Sequence, residues 1–222
     1  MSSILQNSPA AKVLDALYED AEQRRARVAH QPDAFNPTGT ALERFTALKD
    51  QYMPIDRPFG NLLYALIRSA RPATVVEFGM SFGISTIYLA AALKDNGKGR
   101  VVTTEFIAEK ADTARQNFDK AGLADWIEVR VGDATQTLQQ PLPGPVDLLM
   151  LDGDKAMYID ILKLLEPSMQ PGSLVASDNT DQPGAATYLE HVRDPANGYI
   201  TSAMLTTGGP KHQSGHELSV KL

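Results

Sequence analysis

Thr74-Val-Val-Glu-Phe-Gly-Met-Ser-Phe-Gly-Ile-Ser85 marks a change of pattern in a chain of 222 residues. Its first five residues are apolar or β-branched apart from Glu77, as a short strand requires. Gly79 and Gly83 follow where the strand must turn into a helix, and residues 84–93 read as that helix. Gly79 can take a positive φ and lets a ligand approach the backbone, while Gly83 allows close packing as the helix begins. Free N–H groups at such a turn favour an anionic or polar ligand part. The spacing is not the dinucleotide fingerprint. Ser81 stands where its second glycine would, and the two glycines are four apart.

Beyond this stretch, strands alternate with helices. Residues 100–105, 126–131, 146–151 and 174–177 read as strands, and 109–121, 159–165 and 185–192 as helices. Gly122 sits where a helix C-terminal cap belongs. Two final strands, 198–205 and 217–222, have no room for a crossover helix between them and should form an antiparallel hairpin. The rest should be a mostly parallel sheet covered on both faces, with right-handed crossovers.

Before Pro72 the chain reads as helical. Ser8-Pro9 opens a helix to about residue 30, and Pro32 to Pro37 break it. Thr40-Ala-Leu-Glu43 is a capping box for a second helix. A third starts near Pro58 and carries Leu62, Leu63, Leu66 and Ile67. The expectation is one domain over 1–222, with a helical cover over 1–70 and a ligand-binding core over 71–222. The first helix could contribute a homodimer contact toward His30. Its face with Val13, Leu14 and Leu17 could equally pack on the sheet domain.

Composition narrows the function. There is no Cys, which excludes disulfides, thiolate metal sites and a cysteine nucleophile. Lys+Arg number 21 against 27 Asp+Glu, and a net charge of −6 argues against a nucleic-acid partner, which wants a basic footprint. No uncharged stretch is longer than the 16 residues of 78–93, which Gly and Ser interrupt and which are too few to cross a bilayer. Residues 1–10 have neither the basic start nor the apolar core of a secretory segment. A soluble, cytoplasmic protein is expected.

Polar residues recur at the strand ends, where open parallel sheets bind ligands. Glu105 ends the second strand and can accept hydrogen bonds from both ribose hydroxyls, or else is a solvated loop carboxylate. Asp133 and Ala134 follow the third and can line an adenine pocket, or Asp133 caps the next helix. Ser85 contacts a carboxylate or caps a turn. The fourth strand ends in Asp152-Gly-Asp-Lys155 and the fifth in Asp178-Asn179. Adjacent strands lie about 4.8 Å apart, so Asp152, Asp178 and the Asn179 carbonyl can converge on one point. That donor set suits Mg²⁺, or more loosely Ca²⁺, better than Zn²⁺. The bland alternative is that these residues cap helices or bond loop backbone, with Lys155 neutralising Asp154. The sharper one makes Lys155 a proton acceptor for a metal-acidified hydroxyl.

Together these residues resemble the small cation-dependent O-methyltransferases of the S-adenosylmethionine class, the catechol and caffeoyl-coenzyme-A types and their bacterial small-molecule relatives. The resemblance runs from about Phe59 to Leu222, and the Asp-x-x-Lys plus Asp-Asn combination is its specific part. It implies a class I methyltransferase, Rossmann-like α/β fold: seven strands in the order 3-2-1-4-5-7-6, the last antiparallel, with N-terminal helices. It implies that Glu77, Gly79, Ser85, Glu105, Asp133, Ala134 and Asp152 bind S-adenosylmethionine. It further implies that Asp152, Asp178 and Asn179 hold Mg²⁺ (Mn²⁺ or Ca²⁺ as substitutes) and that Lys155 is catalytic. The implied substrate is a small aromatic with vicinal hydroxyls. Tyr52-Met-Pro-Ile-Asp56 could form a flap over the cofactor, and Met80, Met157 and Tyr158 could join Tyr52 and Met53 in its wall.

Two departures stand out. Animal catechol enzymes have His after the first metal Asp, where this chain has Gly153. Their late-loop glutamate has no clear counterpart in residues 206–215, although His212 and His216 lie nearby and could touch substrate or be solvent-exposed. A hydroxamate or amine acceptor stays open within the class. Outside it, an NAD-linked oxidoreductase and a non-enzymatic cofactor-binding scaffold are the alternatives.

Overall fold

The structure is a computed structural model that describes residues 3–28, 50, 52–207 and 213–222. The second helix expected after Thr40 lies outside the described residues, as does His212. The described chain runs α1 (Pro9–Val28), α2 (Arg57–Ala70), β1 (Thr74–Phe78), α3 (Ile84–Asn96), β2 (Arg100–Glu105), α4 (Ala108–Ala121) and β3 (Ile127–Val131). It continues through a one-turn helix α5 (Ala134–Thr137), then β4 (Val146–Leu151), α6 (Tyr158–Leu165), β5 (Met169–Ser177), α7 (Ala186–Arg193), β6 (Tyr199–Thr207) and β7 (Gln213–Lys221).

The seven strands form one sheet in the order β3-β2-β1-β4-β5-β7-β6. β7 is antiparallel to both neighbours, as expected of a closing hairpin. Every residue of β1 is buried, which suits a strand with parallel neighbours on both sides and helices on both faces. One core layer packs α2, α3 and α4 against the sheet through Phe59, Leu63, Ile67, Ile87, Leu89 and Phe118. The opposite layer packs α6 and α7 through Tyr158, Ile161, Leu162 and Tyr188. α3 is buried nearly all round, so it reads as a run of apolar residues rather than a stripe.

Local signals explain the helix starts. The Asp56 side chain accepts from Phe59 N at 2.7 Å, with Pro58 in the first turn of α2. Gly122 ends α4 in the left-handed conformation. The apolar face of α1 is spent inside the chain: Ala10, Leu14 and Leu17 are buried in the same core as Phe59 and Phe118. The packing expected of that face is realised, and the dimer contact expected toward His30 lies outside the described residues.

Several boundaries differ from the sequence reading, most by one to three residues and two strand starts by more. Trp126 sits in a short 3-10 turn, and β3 begins at Ile127. β5 starts at Met169 rather than 174, because Met169 pairs with Val146 before a register shift restores the ladder at Leu148. β7 starts at Gln213 rather than 217, because the hairpin pairs from Tyr199↔Lys221 to Thr207↔Gln213. That earlier start puts His216 in a strand, and it is buried. Its expectation as a solvent-exposed loop residue does not hold.

Candidate active site

The sheet register brings the marked residues together. Phe78 pairs with Thr104 on one side and Leu151 on the other, so Gly79 follows between Glu105 and Asp152. Leu151 pairs with Ser177, so Asp152 and Asp178 stand next to each other one step beyond. Two more backbone bonds extend the ladder past the strands: Asp152 N donates to Phe78 O at 2.8 Å, and Asp178 N to Leu151 O at 2.9 Å. All these residues therefore lie at the carboxyl ends of the strands.

Gly79 has φ +98°, and a Cβ there would stand 2.5 Å from Gly153 N and 2.6 Å from Asp152 C. Only glycine fits both the conformation and the space. Gly153 answers a different contact. A Cβ on it would meet the Phe78 ring at 2.4 Å, which gives a steric reason for the missing histidine at this position.

Glu77 is fully buried. Its Oε2 accepts from the Thr86 and Thr103 hydroxyls, each at 2.5 Å, while Oε1 has no hydrogen-bond partner among the described residues. Burial raises its carboxyl above the ordinary range, opposed by hydroxyl donors that include Ser85. Ser85, in the first turn of α3, is itself buried. Glu105 takes two backbone donors, Ser81 N at 2.8 Å on Oε2 and Ile107 N at 2.9 Å on Oε1. Burial raises its carboxyl too. A carboxylate has about four lone-pair sites, so both oxygens can accept further donors.

Asp133 does cap α5: its Oδ1 accepts from Thr135 N at 2.8 Å and from the Thr135 hydroxyl at 2.7 Å. Ala134 behind it is buried. Phe106, beside Glu105, is 41% exposed, a large aromatic surface at the rim of the same strand ends. The sequence reading missed it, and the available signal was an aromatic residue directly after a polar strand end.

Lys155 Nζ lies 3.3 Å from Asp152 Oδ1 and 5.4 Å from the centre of the Tyr158 ring. Both charged side chains are nearly buried. Burial lifts the Asp152 carboxyl well above its ordinary range, Lys155 lowers it, and Asp178 raises it again. Asn179 is in the left-handed region at φ 50°, which an Asn tolerates, and its N–H donates to Asp178 Oδ1 at 2.9 Å. Among the described residues no three His, Cys, Asp or Glu side chains gather as a metal-binding group. The pair here is two carboxylates, Asp152 and Asp178, with Asn179 next in the chain.

Tyr52, Met53, Ile55, Met80, Ser85 and Asp152 line a narrow cleft beside these residues, with an inner space of about 10 Å³. Tyr52 stacks on Phe82 at 4.1 Å, and Tyr18 of α1 donates to Ile55 O at 3.1 Å, which ties this segment over the turn after β1. Tyr158 is not in that wall. It is fully buried beneath the cluster and donates to Asp178 O at 3.0 Å. Met157 packs against the α6 and α7 layer instead.

Comparison with known proteins gives a consistent neighbourhood. A family model described as a methyltransferase domain matches residues 76–180. The chain is 33% identical to a catechol O-methyltransferase of Niastella koreensis over 128 residues, which is 56% of this chain and 57% of that enzyme. It is 35% identical to one of Mycobacterium tuberculosis, over 56% of each chain. The matched stretch therefore spans little more than half the length of these two relatives. Over 151 residues it is 30% identical to the catechol O-methyltransferase of Sus scrofa, covering 65% of this chain and 80% of the enzyme.

Solved structures agree. An O-methyltransferase from Bacillus cereus in complex with SAH superposes with a TM-score of 0.71 at 25% identity, covering 89% of this chain and 97% of that one. The O-methyltransferase TomG from Streptomyces achromogenes, involved in tomaymycin synthesis and solved with SAM, gives 0.70 at 25% identity, covering 93% and 89%.

Proposed function

We propose a function from one premise: the chain belongs to the O-methyltransferase family that includes the catechol and caffeoyl-CoA enzymes. On that premise it transfers a methyl group from S-adenosylmethionine to one oxygen of a small aromatic substrate with vicinal hydroxyls, and the transfer depends on a divalent cation. The observation that carries this reading is the in-register meeting of Asp152 and Asp178 at adjacent strand ends, with Lys155 Nζ 3.3 Å from Asp152.

The residues fit both groups. For the cofactor, the buried Oε1 of Glu77 is an acceptor with no hydrogen-bond partner among the described residues, and both oxygens of Glu105 can accept further donors. Glu105 would take the ribose hydroxyls. Phe106, Asp133 and Ala134 would border the adenine. Ser85 and Asp152 would face the methionine end. S-adenosylmethionine supplies an electrophilic methyl on a sulfonium, and the sulfur leaves as a neutral thioether that needs no general acid.

For the cation, Asp152, Asp178 and Asn179 offer hard oxygen donors, and two adjacent carboxylates with one lysine favour added positive charge. Mg²⁺ held there would acidify and orient an acceptor hydroxyl, whose free phenol value is about 10. Lys155 would take the proton, and its short tether to Asp152 keeps Nζ at the metal side of the cleft. Tyr52 to Ile55 would help hold the two substrates in line, and alignment should supply most of the rate.

Calorimetry with S-adenosylmethionine and with NAD, each with and without EDTA, tests the reading. S-adenosylmethionine should bind and NAD should not. Tighter binding of NAD would point to an oxidoreductase. A Glu105→Ala chain that binds S-adenosylmethionine like the wild type would remove the ribose assignment.

A further inference from the structure

His216 is the buried polar residue at this site that the reading above leaves without a role. The antiparallel register pairs Ser177 with Glu217, so the next positions set His216 against Asp178. The imidazole is 1% exposed, and its Nδ1 lies 2.8 Å from Asp178 Oδ1, within ion-pair range but without the alignment of a hydrogen bond. Its ring stacks on Phe59 of α2 at 3.9 Å and 13° between planes. A stacked ring in a closed core cannot swing, so Nδ1 is held toward the carboxylate.

The surrounding backbone fixes this register. Thr180 N donates to Gly215 O at 2.9 Å, and Gly215 N to Asp181 Oδ1 at 3.2 Å. A Cβ on Gly215 would stand 3.0 Å from that of Asp181, so the two segments are in close contact. A slip of one residue would turn His216 to the other face of the sheet. Packing alone does not ask for histidine here. Phe or Leu would cover Phe59 equally well, but neither would bring a nitrogen to Asp178.

We propose that His216 is a positioning residue for the cation, holding the Asp178 carboxylate in its ligating orientation through Nδ1. The inference rests on the cation-dependent reading above. Polar side chains that contact a metal-ligating carboxylate orient it, and such outer partners set affinity. His216 acts through Asp178, as Tyr158 does from below through the Asp178 carbonyl.

The test is Mn²⁺ binding to the full chain, read as free Mn²⁺ by electron paramagnetic resonance, with a thermal melt of each variant. His216→Leu keeps apolar contact with Phe59 and loses the nitrogen. His216→Asn loses the stack and puts an amide nitrogen near the place of Nδ1. The expected result is a drop in Mn²⁺ affinity of about 10- to 100-fold for His216→Leu, with His216→Asn close to the wild type. Stability should run in the opposite order, His216→Asn melting lower. If His216→Leu melts below the assay temperature, His216→Gln replaces it. Its amide reaches the Nε2 position instead, and it too should lose affinity.

Wild-type Mn²⁺ affinity in His216→Leu overturns the inference and leaves the cation-dependent reading intact. So does a fall in affinity that simply follows the melting order. A wild-type chain that holds no Mn²⁺ overturns both.

Discussion

Replacing Gly153 by Ala probes how the turn after β4 is built. A methyl there would stand 2.4, 2.5 and 2.8 Å from three atoms of the Phe78 ring. Carbon atoms prefer about 3.5–4.0 Å, so the overlap approaches an ångström or more. Phe78 cannot easily yield, since it is 7% exposed and meets Tyr158 edge-on with centroids 6.4 Å apart. Gly153 does not have a positive φ, so the cost is one of space rather than of backbone strain. Overpacking of this kind costs about 1–3 kcal/mol. In a chain of this size each kcal/mol moves the melting temperature by roughly 2–4 °C. Gly153→Ala should therefore lower it by about 2–12 °C. In a Phe78→Leu background the same substitution should cost clearly less, with a coupling of about 0.5–3 kcal/mol between the two positions. Differential scanning calorimetry of the four chains gives that cycle. Wild-type melting of Gly153→Ala, or strict additivity with Phe78→Leu, would refute the steric argument.

Two further outcomes follow from the site. Lys155→Ala should reduce kcat by about 10²–10⁴-fold while S-adenosylmethionine affinity stays near the wild type, and unchanged turnover across pH removes Lys155 as the base. Burial raises the Glu77 carboxyl above its ordinary 4.5, so the folded chain holds that proton more tightly than the unfolded one. Its contribution to stability is complete below about pH 4.5 and is lost as pH rises through the folded value. Glu77→Gln is neutral throughout. Its urea midpoint relative to the wild type should climb as pH rises above about 4.5, and a difference constant with pH contradicts the assignment.

Much of this architecture was legible in the sequence because it rests on local chemistry. Largely apolar runs such as 74–78 and 146–151 have strand length, and the glycines and acids that follow them mark strand ends. A repeating strand–helix order admits few topologies, so the meeting of Asp152 with Asp178 could be read without coordinates. What stayed hidden depends on register and through-space packing. The start of β7 is set by its pairing along β6, which turned His216 from a loop residue into a core one. Tyr158 looked like a wall residue because it follows Lys155 closely, yet the turn of chain between them sends it under the sheet. The match of Phe78 to Gly153 joins two strands 75 positions apart in sequence numbering, and no local pattern announces it.

The most direct measurement is transfer of a labelled methyl group from S-adenosylmethionine to a panel of catechols, caffeoyl esters and flavonoids, with Mg²⁺ and with EDTA. It should be made on the wild type and on Asp178→Ala. Methylated product in Mg²⁺, lost in EDTA and in Asp178→Ala while S-adenosylmethionine still binds, is the expected result. Undiminished transfer in EDTA would contradict a cation held at Asp152, Asp178 and Asn179.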